Sequence, residues 1–257
     1  PEDEIRQTAN MAWQAGYQNA AVMMPATADH DRLQQFFVDY WHALGGEVVS
    51  RASYGSSSSY SELIRRMFSI DDSEARAARL RDLLPRNNIN FVPRRRQDID
   101  FLFLIATPGD GRQLRPTLGF HYAGDVPVYA LPSIYDGGLS PAANRDLDGV
   151  IFSDAPWILR GDDPLRLSLA SAWSPASGAV ERLRAMGVDS YRLIYRLSQL
   201  ANFPEARFHG ATGLLSLASD GSIRRELPAA RIVDGSAQPI PTEQSDAGTS
   251  GEIAGLR

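Results

Sequence analysis

The chain has 257 residues, 43% hydrophobic and 22% charged, with 26 basic against 31 acidic side chains and a formal net charge of −5. That is enough for one large α/β unit or two lobes around an apolar core, and the acidic balance excludes a general affinity for nucleic acid, which needs concentrated positive charge. Without cysteine, neither a disulfide framework nor a thiolate site can form, and no apolar run approaches the ~18 residues of a membrane span.

The chain opens on a helix expected over residues 2–15. Glu2, Asp3 and Glu4 favour its N-terminus through the helix dipole, and Gly16 stops it. Residues 20–24 form a short apolar run of buried-strand type. In the next helix Leu33, Phe36, Phe37, Tyr40, Trp41 and Leu44 fall on one broad stripe, ended by Gly45 and Gly46. A second strand follows over 47–53. A serine loop comes next, over 55–59, with Ser59 and Glu62 set as a capping box for a helix through Phe68. A further helix runs over 72–84, and Pro85 breaks it.

Residues 99–106 read as a strongly apolar strand, 112–121 as helix, 126–131 as strand and 149–152 as a weaker strand. Strand and helix therefore alternate about five times between 20 and 153, the pattern of a parallel, doubly wound sheet. Beyond Asp154 the character changes: 155–157 reads as a crossing segment, followed by helices over 164–172 and 178–202, the second interrupted near Gly187. Residues 208–233 switch to strands, with Asp220-Gly221 as a hairpin turn between 214–217 and 223–226. From Ser236 on, Gly, Ser, Thr and Pro predict a disordered tail.

Chemistry-bearing patterns are sparse. Gly109-x-Gly111 opens a helix after a strand, but Leu114 stands where a third glycine would be needed, so this is an ordinary turn and no nucleotide loop. His30, His42, His121 and His209 lack metal-ligand spacing. Asp71-Asp72, Asp98 with Asp100, and Asp162-Asp163 read as caps and turns. Arg94 to Arg96 form a local positive run on a solvated loop. Tyr135, Asp136 and Trp157 lie just beyond strand ends, where ligands bind in open α/β sheets, and they are the candidate residues of an inter-lobe cleft. For Tyr135 and Trp157, packing is the competing role, since large aromatics dominate core burial. No set of residues makes a catalytic, metal or cofactor site.

Longer strings carry more. Pro93-Arg-Arg-Arg-Gln-Asp-Ile-Asp-Phe-Leu-Phe-Leu, Arg112-Gln-Leu-Arg-Pro-Thr-Leu and Tyr122-Ala-Gly-Asp-Val-Pro-Val-Tyr-Ala resemble the LppC/LpoA family. So do Asp146-Leu-Asp-Gly-Val-Ile-Phe-Ser-Asp-Ala-Pro-Trp-Ile-Leu, Met186-Gly-Val-Asp-Ser-Tyr-Arg-Leu and Gly210-Ala-Thr-Gly-Leu-Leu-Ser-Leu. The likeness runs over about residues 1–235. It implies a type I periplasmic-binding-protein fold: two doubly wound lobes with parallel sheets, joined by crossing strands. On that basis residues 1–155 form one complete lobe. Residues 156–235 form the C-terminal part of a second, whose opening half would precede Pro1, and 236–257 form the tail.

The resemblance further implies a non-enzymatic activator of a class A penicillin-binding protein, in the periplasm, held at the outer membrane by a lipid anchor outside this sequence. Peptidoglycan is a further expected contact; no cofactor is expected. A periplasmic solute-binding protein of the amino-acid type is the alternative that the same fold would serve.

Overall fold

The computed structural model describes residues 1–55, 59–83, 91–138, 141–170, 172–174, 176 and 178–241. The chain runs α1 (Glu2–Gln14), β1 (Asn19–Pro25), α2 (Ala28–Leu44), β2 (Glu47–Tyr54), α3 (Tyr60–Met67), α4 (Ile70–Leu83), β3 (Phe101–Leu104), α5 (Pro108–Phe120) and β4 (Val128–Ala130). A short α6 (Pro141–Asn144) leads to β5 (Ile151–Ser153). Next come α7 (Pro156–Leu159), α8 (Pro164–Ala170), α9 (Gly178–Ile194) and α10 (Leu197–Asn202). The last strands are β6 (Phe208–His209), β7 (Leu214–Leu217), β8 (Ile223–Glu226), β9 (Ala229–Val233) and β10 (Ser236–Pro239).

Seven strands form one sheet in the order β10-β9-β5-β4-β3-β1-β2. The five from β5 to β2 are parallel, and β9 and β10 add an antiparallel edge. Alternation along each strand sends side chains to two faces. Ala21 and Met23 of β1 join Leu102 and Leu104 of β3 on one side, with Ile64, Met67, Leu114 and Leu118 from α3 and α5. Ala20, Val22 and Met24 join Phe101 and Phe103 on the other, under Ile5, Phe37 and Trp41 from α1 and α2. The aromatic stripe of α2 thus lies on the sheet: Phe37 stacks on Phe103 at 4.0 Å, and Trp41 meets Phe101 edge-on at 5.1 Å. Such rings each contribute ~1.5–3 kcal/mol by burial, which is why this helix is so legible.

Local chemistry sets the boundaries. The Thr27 and Thr107 hydroxyls accept from the His30 and Asp110 N–H groups and start α2 and α5. The Thr107 cap puts the start of α5 at Pro108, four residues before the expected 112. Ser59 caps α3 by accepting from the Glu62 N–H, which is half of the expected box. Gly45, at φ 99°, closes α2 in the left-handed region that favours glycine. Residues 56–58 of the serine loop and the stop at Pro85 lie outside the described residues.

Three expectations need correction. Helix α9 runs through Gly187 without a break and ends at Ile194, because its buried Glu181, Ala185 and Asp189 keep one face in register across the glycine. Residues 236–239 are strand β10, not the start of a tail. Strand β9, assigned above to the second lobe, returns to the large sheet and pairs with β5. Ala230 and Ile232 are fully buried there and join Phe152 of β5 in the same core cluster, as period-two alternation requires. Between α7 and β9 the sheet structure among the described residues is the antiparallel set β6-β7-β8, whose β7–β8 hairpin turns at Asp220-Gly221 as expected.

Candidate functional site

The strand ends and the crossing segment meet where the large sheet hands over to the helices α7 to α9. After β4 the chain makes a single 3-10 turn, Pro132–Ile134, which delivers Tyr135 and Asp136. After β5 it passes Asp154 and enters α7, which carries Trp157. The structure therefore places all three candidate cleft residues in one region.

Tyr135 is 5% exposed and packs against Phe152, with ring centroids 5.4 Å apart. Its hydroxyl accepts from the Ala237 N–H at 3.3 Å, fastening β10 to the end of β4. Burial pushes the phenol upward, so it stays a neutral donor and acceptor. Asp136 accepts from Arg112 at 2.6 Å, from the Asn144 amide and from the Gly138 N–H. It closes its own loop over α5 and α6. Trp157 is 2% exposed, and its indole N–H donates to Glu181 at 2.9 Å. Two of the three side chains are thus sunk in the core, and the third is part of an ion pair.

The strongest electrostatic feature here is one that the sequence reading missed. Arg182, on the second turn of α9, donates to both carboxylate oxygens of the buried Asp154 and to the carbonyls of Pro132 and Tyr135. Burial pushes the Asp154 carboxyl upward, and the guanidinium opposes that shift. The Asp154 carboxylate also accepts from the Ala155 N–H. Together with Trp157–Glu181, this clamps α9 to the ends of β4 and β5. Nothing in the helical spacing marks Arg182 apart from its neighbours; only the tertiary placement does. A second buried acid on α9, Asp189, accepts from the Ala211 and Thr212 N–H groups and from the Thr212 hydroxyl, which positions the turn before β7.

Of the acids read as caps and turns, Asp163 keeps that role at the start of α8, whereas Asp71 and Asp98 form ion pairs and Asp100 fastens a distant segment. Asp100 accepts from the Gln18 and Asn19 N–H groups, Asp163 from those of Leu165 and Arg166, and Asp71 pairs with Arg65. Arg95 and Arg96 are neutralised by Asp125 and Asp98, so the positive run carries less free charge than its sequence suggests. Gly111 is a packing glycine: a Cβ there would run into Ile134 and Leu147. Among the described residues no group of three or more His, Asp or Glu side chains could hold a metal ion, and no helix is long and apolar enough to cross a membrane.

A parallel sheet covered by helices on both faces, with the chain crossing out at its strand ends and returning as an antiparallel edge, is the architecture of periplasmic-binding-protein-like proteins. The structure superposes on the C-domain of LpoA (YraM) from Haemophilus influenzae with a TM-score of 0.66 at 24% identity, covering 94% of this chain and 67% of that one. It also matches a putative branched-chain amino acid ABC transporter from Chromobacterium violaceum (TM-score 0.60, 26% identity, 90% of this chain and 64% of that one).

The chain belongs to the LppC putative lipoprotein family, whose match covers residues 1–235. Relatives include proteins named penicillin-binding protein activator LpoA. The one from Vibrio antiquarius is 26% identical over 88% of this chain, and that from Edwardsiella ictaluri 29% over 93%. The chain spans 38% and 37% of their respective lengths.

Proposed function

We propose that the protein acts in peptidoglycan synthesis as a non-catalytic activator of a class A penicillin-binding protein. The observation that carries this reading is family membership over residues 1–235, together with relatives named as penicillin-binding protein activators. Support for a contact role comes from the acids at the crossing segment: Asp136, Asp154 and Glu181 each hold an arginine or a buried N–H and serve the architecture. In this reading the protein works in the periplasm and reaches the synthase from the outer membrane, held by a lipid anchor on polypeptide outside this sequence. Peptidoglycan is a second surface it would meet there.

The test is a binding titration of the lipid-free parent polypeptide against the periplasmic region of the class A penicillin-binding protein of the same organism. Saturable binding with stimulated glycan polymerisation is the expected result. No binding at high micromolar concentration rejects the reading.

One observation favours a second reading, a solute-binding protein: the 26% identity to the Chromobacterium violaceum protein over 90% of this chain. A solute would then raise the melting temperature by mass action, by about 2.7 kcal/mol of stability at a hundredfold excess over its dissociation constant. A flat response across the amino acids removes it.

A further inference from the structure

Beside the crossing segment lies an open cavity of about 400 Å³, lined by Tyr135 and Gly137 after β4, Ile158 and Gly161 around the end of α7, Arg166 on α8 and Ala237 on β10. Its size is that of sites for small organic molecules, and its wall mixes apolar side chains with the polar ones of Tyr135, Arg166 and Ser236.

Arg166 and Tyr135 are both donors with capacity left. Arg166 gives one guanidinium N–H to the Trp157 carbonyl at 2.9 Å and has no carboxylate partner among the described residues. Asp163, its nearest acid in sequence, is turned to the Leu165 and Arg166 N–H groups through Oδ1. The acids of the crossing segment are already matched, Asp136 by Arg112, Asp154 by Arg182, and Glu181 by Arg184 and the Trp157 indole. Among the described residues that line the cavity, Arg166 is thus the one cation, and it holds no carboxylate. Tyr135, 5% exposed, accepts from the Ala237 N–H, and its own hydroxyl proton has no acceptor among the described residues. A buried hydroxyl normally finds one.

We propose that this cavity binds a small organic acid, its carboxylate received by the Arg166 guanidinium and the Tyr135 hydroxyl and its apolar part lying against Ile158. A guanidinium presents donors in a fork that matches a carboxylate, and the phenol supplies the donor that the buried site leaves unmatched. The apolar wall and the volume select an acid the size of an amino acid or a benzoate and disfavour a polymer. Such a site is compatible with either functional reading above, so its test succeeds or fails separately from synthase binding.

The experiment is isothermal titration of the 257-residue chain with acetate, benzoate and L-leucine, each against its amide, and with trialanine bearing a free or amidated C-terminus. The expected result is saturable binding of at least one small acid and at least tenfold weaker binding of its amide. Arg166→Gln should weaken the acid at least tenfold and Arg166→Lys less, while Tyr135→Phe should weaken it severalfold. Circular dichroism melts check that each variant is folded, and the charge-retaining Lys variant decides the matter if the Gln variant is not. The proposal is overturned if none of the acids binds, if acid and amide bind alike, or if Arg166→Lys and Arg166→Gln both bind as the parent does. Binding of trialanine alone would assign the site to a peptide C-terminus and overturn the small-acid occupant.

Discussion

Trp157 is buried, and its one side-chain polar group is held by a buried acid. Its indole N–H meets the Glu181 carboxylate, which is 8% exposed and also takes a donor from Arg184. Replacing Trp157 by Phe leaves that carboxylate short of a partner in a buried setting. The expected cost is about 1–3 kcal/mol for the unmatched acceptor, with more for the smaller ring. Urea unfolding of Trp157→Phe, Glu181→Gln and the double variant checks this: the double variant should cost less than the sum of the singles. His121 gives a pH dependence. Burial, and then the nearby Arg65 guanidinium, hold its imidazole below the usual 6.5. The unfolded chain therefore takes up a proton before the folded one, and this contribution to stability is lost as pH falls from about 6.5 towards the folded value. His121→Gln should show a smaller loss of melting temperature between pH 7 and 5.5 than the parent.

At the scale of elements, legibility followed burial. The stripe of α2 and the apolar run of β3 could be read because their side chains enter the core outright, Phe37, Trp41, Phe101 and Phe103 being fully buried. Helix α9 was read as broken at Gly187 because glycine is a poor helix former. There the cost is outweighed by Glu181, Arg182 and Asp189, contacts that no local window contains. Its other face is the surprise. Leu183 and Tyr191 are 64% and 65% exposed, and with Leu165, Leu169 and Val188 they line an open apolar groove between α8 and α9. A contiguous apolar surface of this kind marks an interaction site or an aggregation hazard. The paired change Leu183→Gln with Tyr191→Gln should reduce the fluorescence of bound anilinonaphthalene sulfonate at least twofold. The melting temperature should stay within about 2 °C, since neither side chain is buried. An unchanged dye signal would place the accessible apolar surface elsewhere.

For the whole molecule, the sequence carried the parallel sheet and its crossing segment, but not the return of the chain. The reason lies at Asp234-Gly235, the same dipeptide type that correctly marked the hairpin at Asp220-Gly221. Both residues of the 234–235 turn have positive φ, 51° and 73°, as a tight antiparallel hairpin requires. Beyond it, Ser236, Ala237 and Pro239 look like tail composition, so the strand was lost to the polar reading. That hairpin is what pairs β10 with β9 and brings Ala237 onto the Tyr135 hydroxyl. The two Asp-Gly turns make an internal comparison. Gly221 has φ 82° and open space at its Cβ, whereas a Cβ on Gly235 would collide with the Pro141 carbonyl. Gly221→Ala should therefore cost only the left-handed backbone penalty, about 1 kcal/mol, or a drop of about 2–4 °C in melting temperature for a chain of this size. Gly235→Ala adds a steric clash with backbone that cannot yield cheaply, and it acts on an edge of the seven-stranded sheet. A drop at least twice as large is the expected outcome of paired calorimetric melts. Equal, small drops would mean that β9 and β10 are held loosely, and that the large sheet is stable on its five parallel strands alone.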